Sequence, residues 1–115
     1  MLQIELLVNS VQDGMFTLTN CTDEDVPLKT TLTTLYARDA HRVGDGWESS
    51  PPRDVQSVSL TVETAEIFRK KIDCIPRGFS AGVRLSGTGQ EAVQKRLADK
   101  GRDTQVFLGA DVTSP

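Results

Sequence analysis

Histidine, aromatic side chains and long apolar runs are all scarce in this chain, and each shortage removes a class of function. Of its 115 residues one is histidine, one tryptophan and one tyrosine, and aromatics amount to 5%. A lone His41 cannot build a metal site; Asp39 and Asp45 stand near it in sequence, but short loop residues rarely converge on one ion. As a general base His41 would need a nucleophile that the sequence does not single out. Cys21 and Cys74 are far apart, in neither CxxC nor Cys/His spacing, which argues for two free thiols in a reducing compartment and leaves a single disulfide open. No GxxxxGK[ST] segment occurs, so neither a bound nucleotide nor another cofactor is expected. The longest uncharged apolar stretch, around Leu6 to Val8, falls far short of the roughly twenty residues that span a bilayer. The opening MLQIELLVNS lacks the basic start of a signal peptide, so a soluble, cytoplasmic protein is expected. A basic surplus is missing too. The net charge is −3, whereas a domain that grips nucleic acid by neutralising phosphates usually carries a positive excess.

What remains is a chain of single-domain length, 1–115, that buries roughly two thirds of its unfolded surface. Nine glycines and many threonines favour strands and turns over long helices. Leu2, Ile4 and Leu6 alternate along an opening strand, and Asp13-Gly14 is a hairpin signal before a second strand over 15–20. A β-branched run over 28–38 predicts a strand with Leu28, Leu32 and Tyr36 on one face. Residues 39–54, DAHRVGDGWESSPPRD, show no periodicity and predict a long loop holding His41 and Trp47. Val58, Leu60 and Val62 mark another strand. A short helix is predicted over Ala65–Lys71, capped by Thr64, with Ile67 and Phe68 turned inward and Arg69, Lys70 and Lys71 toward water. A Pro76–Gly78 turn leads to a strand over 79–86 whose inward set is Phe79, Ala81, Val83 and Leu85. Ala92, Val93 and Leu97 at helical spacing predict a helix over 90–100 ended by Gly101, inside a helical segment 88–101. A last strand spans 105–109, and 110–115 is expected to fray. Six or so strands with short helices indicate a mainly β domain, either a small closed barrel or a sandwich.

One segment carries more than a fold class. Glu66-Ile67-Phe68-Arg69-Lys70, Ile72-Asp73, Gly78 and Gly82-Val83-Arg84-Leu85-Ser86-Gly87 follow one another without a gap over roughly 22 residues. This run resembles the second domain of translational GTPases such as elongation factor Tu. Val11 to Leu18 and Val43-Gly44-Asp45 are similar to two further stretches of that domain. A Gly-Arg-Gly turn of the family is replaced here by Cys21 to Asp25, and a family Asn by Ser80. The resemblance implies a closed antiparallel β-barrel of the translation-protein type, standing without the GTPase domain. In that family the domain helps hold the aminoacylated end of transfer RNA; by position, Glu66, Phe68 and Arg69 would lie against such a ligand, with Ser80 beside them.

The resulting expectation is a non-enzymatic binding module with a rim of Glu66, Phe68, Arg69 and Ser80, assisted by Trp47 as an aromatic anchor. Its ligand is either RNA (transfer RNA or the ribosome) or a protein, and its oligomeric state stays open. Arg69, Lys70, Lys71, Arg77 and Arg84 fall within sixteen residues and form either a local basic patch or a solvated face. Two other classes stay in view: a structural subunit that dimerises through an open strand edge at Gln105–Leu108, and a small enzyme using the His41 loop.

Overall fold

The computed structural model describes residues 4–110, so Leu2, Gln3 and most of the expected frayed tail fall outside it. Ten strands and one helix succeed one another: β1 (Ile4–Gln12), β2 (Met15–Asn20), β3 (Val26–Pro27), β4 (Thr31–Val43), β5 (Gly46–Ser49), β6 (Arg53–Ile67), β7 (Lys70–Ile72), β8 (Cys74–Ile75), β9 (Ser80–Thr88), α1 (Gln90–Asp99) and β10 (Thr104–Ala110). Six of them close into an antiparallel barrel. Around it β4 is followed by β10, β1, β2, β9 and β6, and β6 pairs back onto β4. The closed barrel anticipated from the sequence is therefore the observed fold. Closure consumes the barrel's strand edges, and β5 and β7 remain as short outer strands of hairpins. Gln105–Leu108 is not an open edge, since β1 covers one side of β10 and β4 the other.

Alternation places the core as expected on most strands. Leu6, Phe16, Leu18, Leu32, Leu60, Val62, Val83 and Leu108 are buried inside, each worth about 1.5–3 kcal/mol relative to exposure. Irregularities in pairing reset the alternation elsewhere. Along β4 the register shifts between Leu32 and Thr34 and again between Leu35 and Ala37. Leu32 and Leu35 consequently both point inward, and Tyr36 turns to the outer face rather than sharing the face of Leu32. There Tyr36 stacks on Phe107, with ring centroids 5.5 Å apart. Arg38 lies over both rings and is held by Glu5 through its Nε at 3.1 Å. A shift in β6 between Val62 and Thr64 likewise lets Val62 and Ala65 both enter the core.

The barrel has two differently built ends. At one, the β3–β8 ribbon contributes Val26 and Ile75 to the core. Asn20, the buried polar residue there, donates from Nδ2 to the carbonyls of Glu24 and Ile75, both at 2.9 Å, and accepts from the Thr22 amide at 2.8 Å. At the other end α1 packs through Val93. Gly87 is required at the approach to that helix: its φ is +115°, and a Cβ would sit 2.0 Å from the Ser59 carbonyl oxygen. The predicted C-terminal helix is thus present within a residue, but Gly101 does not adopt a left-handed conformation after it.

Two predicted segments fold otherwise. Residues 39–54 are not a loop: β4 continues to Val43, turns through Gly44-Asp45 and returns as β5, and β6 already begins at Arg53. Only Gly44 of that turn has positive φ, the type II′ pattern whose first central residue is glycine. Residues 65–71 are not a helix. β6 runs to Ile67 and reverses through Phe68-Arg69 into β7, with Ala65 facing Ile72 and Ile67 facing Lys70. Strand partners on both sides of β6 outweigh the helix propensity of so short a run.

Candidate functional site

Both central residues of the β6–β7 turn are left-handed, Phe68 at φ +51° and Arg69 at φ +65°. Asp13-Gly14 in the β1–β2 hairpin has the same arrangement, at +53° and +78°. That second pair is the residue chemistry a type I′ turn favours, whereas Phe-Arg is not. A residue with a Cβ loses about 1–2 kcal/mol in this region. The side chain held there does not pack inward: Phe68 is 95% exposed, while Ile67 is half-buried against the core. The expectation that the two residues plug the barrel together is corrected to Ile67 alone.

Phe79, expected in the core, is 58% exposed at the same end of the barrel. It follows Gly78 in a turn closed by its own amide on the Pro76 carbonyl at 3.1 Å. The residue after it, Ser80, opens β9 next to the end of β2 and shares a 2.6 Å hydrogen bond with the Thr19 hydroxyl. Glu66 pairs across with Gly82 on one side and Lys71 on the other, so Glu66, Ser80 and the turn stand on neighbouring rows of one barrel wall. Arg69, Lys70 and Lys71 are exposed and make no ion pair among the described residues. Of the five clustered cations, Arg77 departs: its amide binds Asp25 Oδ1 at 3.1 Å and its Nη1 the Asp23 carbonyl. Arg84 reaches instead to the carbonyl of Asp13 at 3.4 Å. What persists at the tip is three exposed cations following the uncovered Phe68, with Phe79 exposed in the neighbouring 76–79 turn.

Trp47 does not join this rim. β4 and β6 run antiparallel, with Thr31 opposite Thr61 and Ala37 opposite Arg53. The β4–β5 hairpin therefore projects beyond one end of β6, and the Phe68 turn beyond the other. Trp47 is 67% exposed, over a groove of about 390 Å³ formed with Ala40, Ser49, Arg102, Asp103 and Gln105. On the opposite face of the hairpin His41 approaches Glu48 at 3.7 Å, both side chains largely in solvent. Among the described residues no three His, Cys, Asp or Glu side chains gather as a metal-binding group. Cys21 and Cys74 are free thiols. Burial pushes both thiols up, aided at Cys74 by the Asp25 carboxylate, so neither is an activated nucleophile.

Between α1 and the start of β6 lies a larger cleft, about 580 Å³, which the sequence does not announce. A charged network walls it: Arg53 donates from Nε and Nη2 to the two Asp39 oxygens, each at 2.8 Å, and also binds Asp54. Thr104 donates to Asp39 Oδ1 at 2.8 Å. Hydrogen bonds from Arg53 and then Thr104 hold the Asp39 carboxyl down at about 2. The only sequence hint of this cleft is Arg96 and Lys100, like charges one helical turn apart.

No helix among the described residues is long and apolar enough to cross a membrane. Comparison with protein-family models, with curated proteins and with solved structures gave no match.

Proposed function

We propose that this chain is a non-enzymatic binding module of the cytoplasm that engages single-stranded RNA through the tip of the β6–β7 hairpin. The observation that carries the reading is Phe68, almost wholly in water and in a backbone conformation unfavourable to it, followed by three cations. Backbone strain of that kind persists where the surrounding structure enforces it and clusters at functional sites. Phe68 and Phe79 would each offer a face on which a base stacks, and Arg69 with Lys71, on the face shared with Glu66, would meet phosphates. A protein partner has less use for three cations in series, because an interface core is depleted of lysine. The resemblance of residues 66–87 to the translational-GTPase second domain supports the same reading from the sequence side. In this proposal Glu66 and Ser80 border the contact and set its polarity.

Because the whole chain is acidic, binding must be local and strongly dependent on salt. Two phosphate contacts on a single strand imply a slope of log K against log salt of about −1.4. Anisotropy of a labelled oligouridine between low and physiological salt measures it. Phe68→Ala and Arg69→Glu should each weaken binding at least about tenfold. Binding that ignores salt, or that survives both substitutions, ends the RNA reading. A second reading rests on Trp47, exposed above its own groove at the far end. It makes that hairpin a protein-binding anchor, for which Trp47→Ala abolishes capture of a partner while leaving the fold intact.

A further inference from the structure

We infer that the cleft between α1 and the first residues of β6 is a binding site for a small monocarboxylate with an apolar body, independent of the hairpin tip. Its volume, about 580 Å³, lies within the range of small-molecule sites. Its floor is apolar, formed by Ala37, Ala92 and Val106. Its rim is charged and unbalanced. Arg53 is fully engaged by Asp39 and Asp54, which leaves Lys95, Arg96 and Lys100 facing Asp99. Counting Asp39 behind the wall, the surplus is one positive charge, the complement of a monoanion rather than of a phosphate dianion.

Arg96 supplies the specific contact. Its Nη2 donates to Gln56 Oε1 at 3.3 Å, but its Nη1 is shut off from solvent with no acceptor. Buried donors of a guanidinium are ordinarily satisfied, and the planar fork matches a carboxylate. A small turn of the Arg96 guanidinium into the cleft lets a carboxylate satisfy that donor, and the alkyl part covers Ala92 and Val106. Lys95 and Lys100 at the mouth are exposed and contribute attraction rather than geometry.

The test is a titration of the full-length protein followed by amide chemical shifts, with hexanoate, 1-hexanol and inorganic phosphate as separate probes. Saturable shifts with hexanoate, confined to α1, Thr104 and Val106, are expected, with a dissociation constant of about 1 mM or below. Hexanol should not saturate, and phosphate should bind more weakly than hexanoate. Arg96→Gln should lower hexanoate affinity about tenfold, as for loss of a charge-assisted pair. If that variant does not fold, the surface pair Lys95→Gln/Lys100→Gln should still lower it severalfold. Absence of saturation, equal response to hexanol, tighter binding of phosphate, or unchanged affinity in a folded variant overturns the assignment. None of these outcomes bears on RNA binding at the opposite end.

Discussion

Replacing Phe68-Arg69 by Asn-Gly should make the protein more stable while removing its proposed activity. Both positions are left-handed, which disfavours each residue bearing a Cβ by about 1–2 kcal/mol. Glycine at 69 relieves this fully, and asparagine at 68 relieves part of it. Against that gain stands the extra freedom glycine gives the unfolded chain, about 0.4–1 kcal/mol. Little packing is lost, because Phe68 is 95% exposed. The net expectation for Phe68→Asn/Arg69→Gly is a gain of about 1–2 kcal/mol, or about 5–10 °C in melting temperature. Urea unfolding followed by Trp47 fluorescence and by circular dichroism reads it, with the slope of the transition unchanged. A lower or unmoved midpoint in a variant that keeps the native spectrum would refute the claim that this turn is strained. Gain of stability with retained oligouridine binding would separate the strain from the proposed function.

Asn20→Ala removes three hydrogen bonds that tie the 21–25 segment to β8, and should cost about 3 kcal/mol in the same assay; a loss below about 1 kcal/mol would mean water replaces those partners. Gly87→Ala forces a Cβ against the Ser59 carbonyl at a φ closed to L-residues, and should leave little folded protein; a melting temperature within about 2 °C of the parent would contradict this geometry. The Asp39 carboxyl should titrate near about 2 by NMR and return toward 3.8 in Arg53→Gln. Its folded-state pKa is depressed, so the stability it contributes is present above 3.8 and lost as the pH falls toward about 2. An unchanged midpoint in the variant would remove Arg53 as the cause.

The strands are readable in the order of residues because antiparallel strands with one buried face write their alternation plainly, whereas closure into a barrel is not written there. Leu6, Phe16-Thr17-Leu18, Leu60-Thr61-Val62 and Ala81 to Leu85 show it. Glycine in left-handed turns was equally visible at Asp13-Gly14 and Pro76–Gly78, because the conformation selects the residue. The departures from local pattern share a cause. Phe68-Arg69 does not favour the turn it adopts, and 39–54 lacks a clear alternation although Gly44 suits its turn; both hairpins extend strands that β9 and β10, distant in sequence, hold in place. Tyr36 and Phe79 leave the face their spacing implies for a related reason, since a register shift or a turn resets which face a side chain takes. Such shifts are set by the partner strand and leave no mark in a single chain's periodicity.

The candidate surfaces divide along the same line. Composition and alternation alone specify a small mainly β domain, barrel or sandwich, and the run of cations at 69–71 is a property of the chain order. That Phe68 stands in water beside those cations, that Trp47 belongs to the opposite end, and that Arg96 meets Gln56 across a cleft are products of folding. The Arg96–Gln56 contact joins positions 40 apart and the Arg53–Asp39 pair beside it positions 14 apart, brought together by barrel closure. Hydrophobic burial specifies which residues go inside, but it is indifferent to how polar and exposed side chains meet on the outside. That meeting is fixed by register and strand direction, which exist only once the sheet has closed.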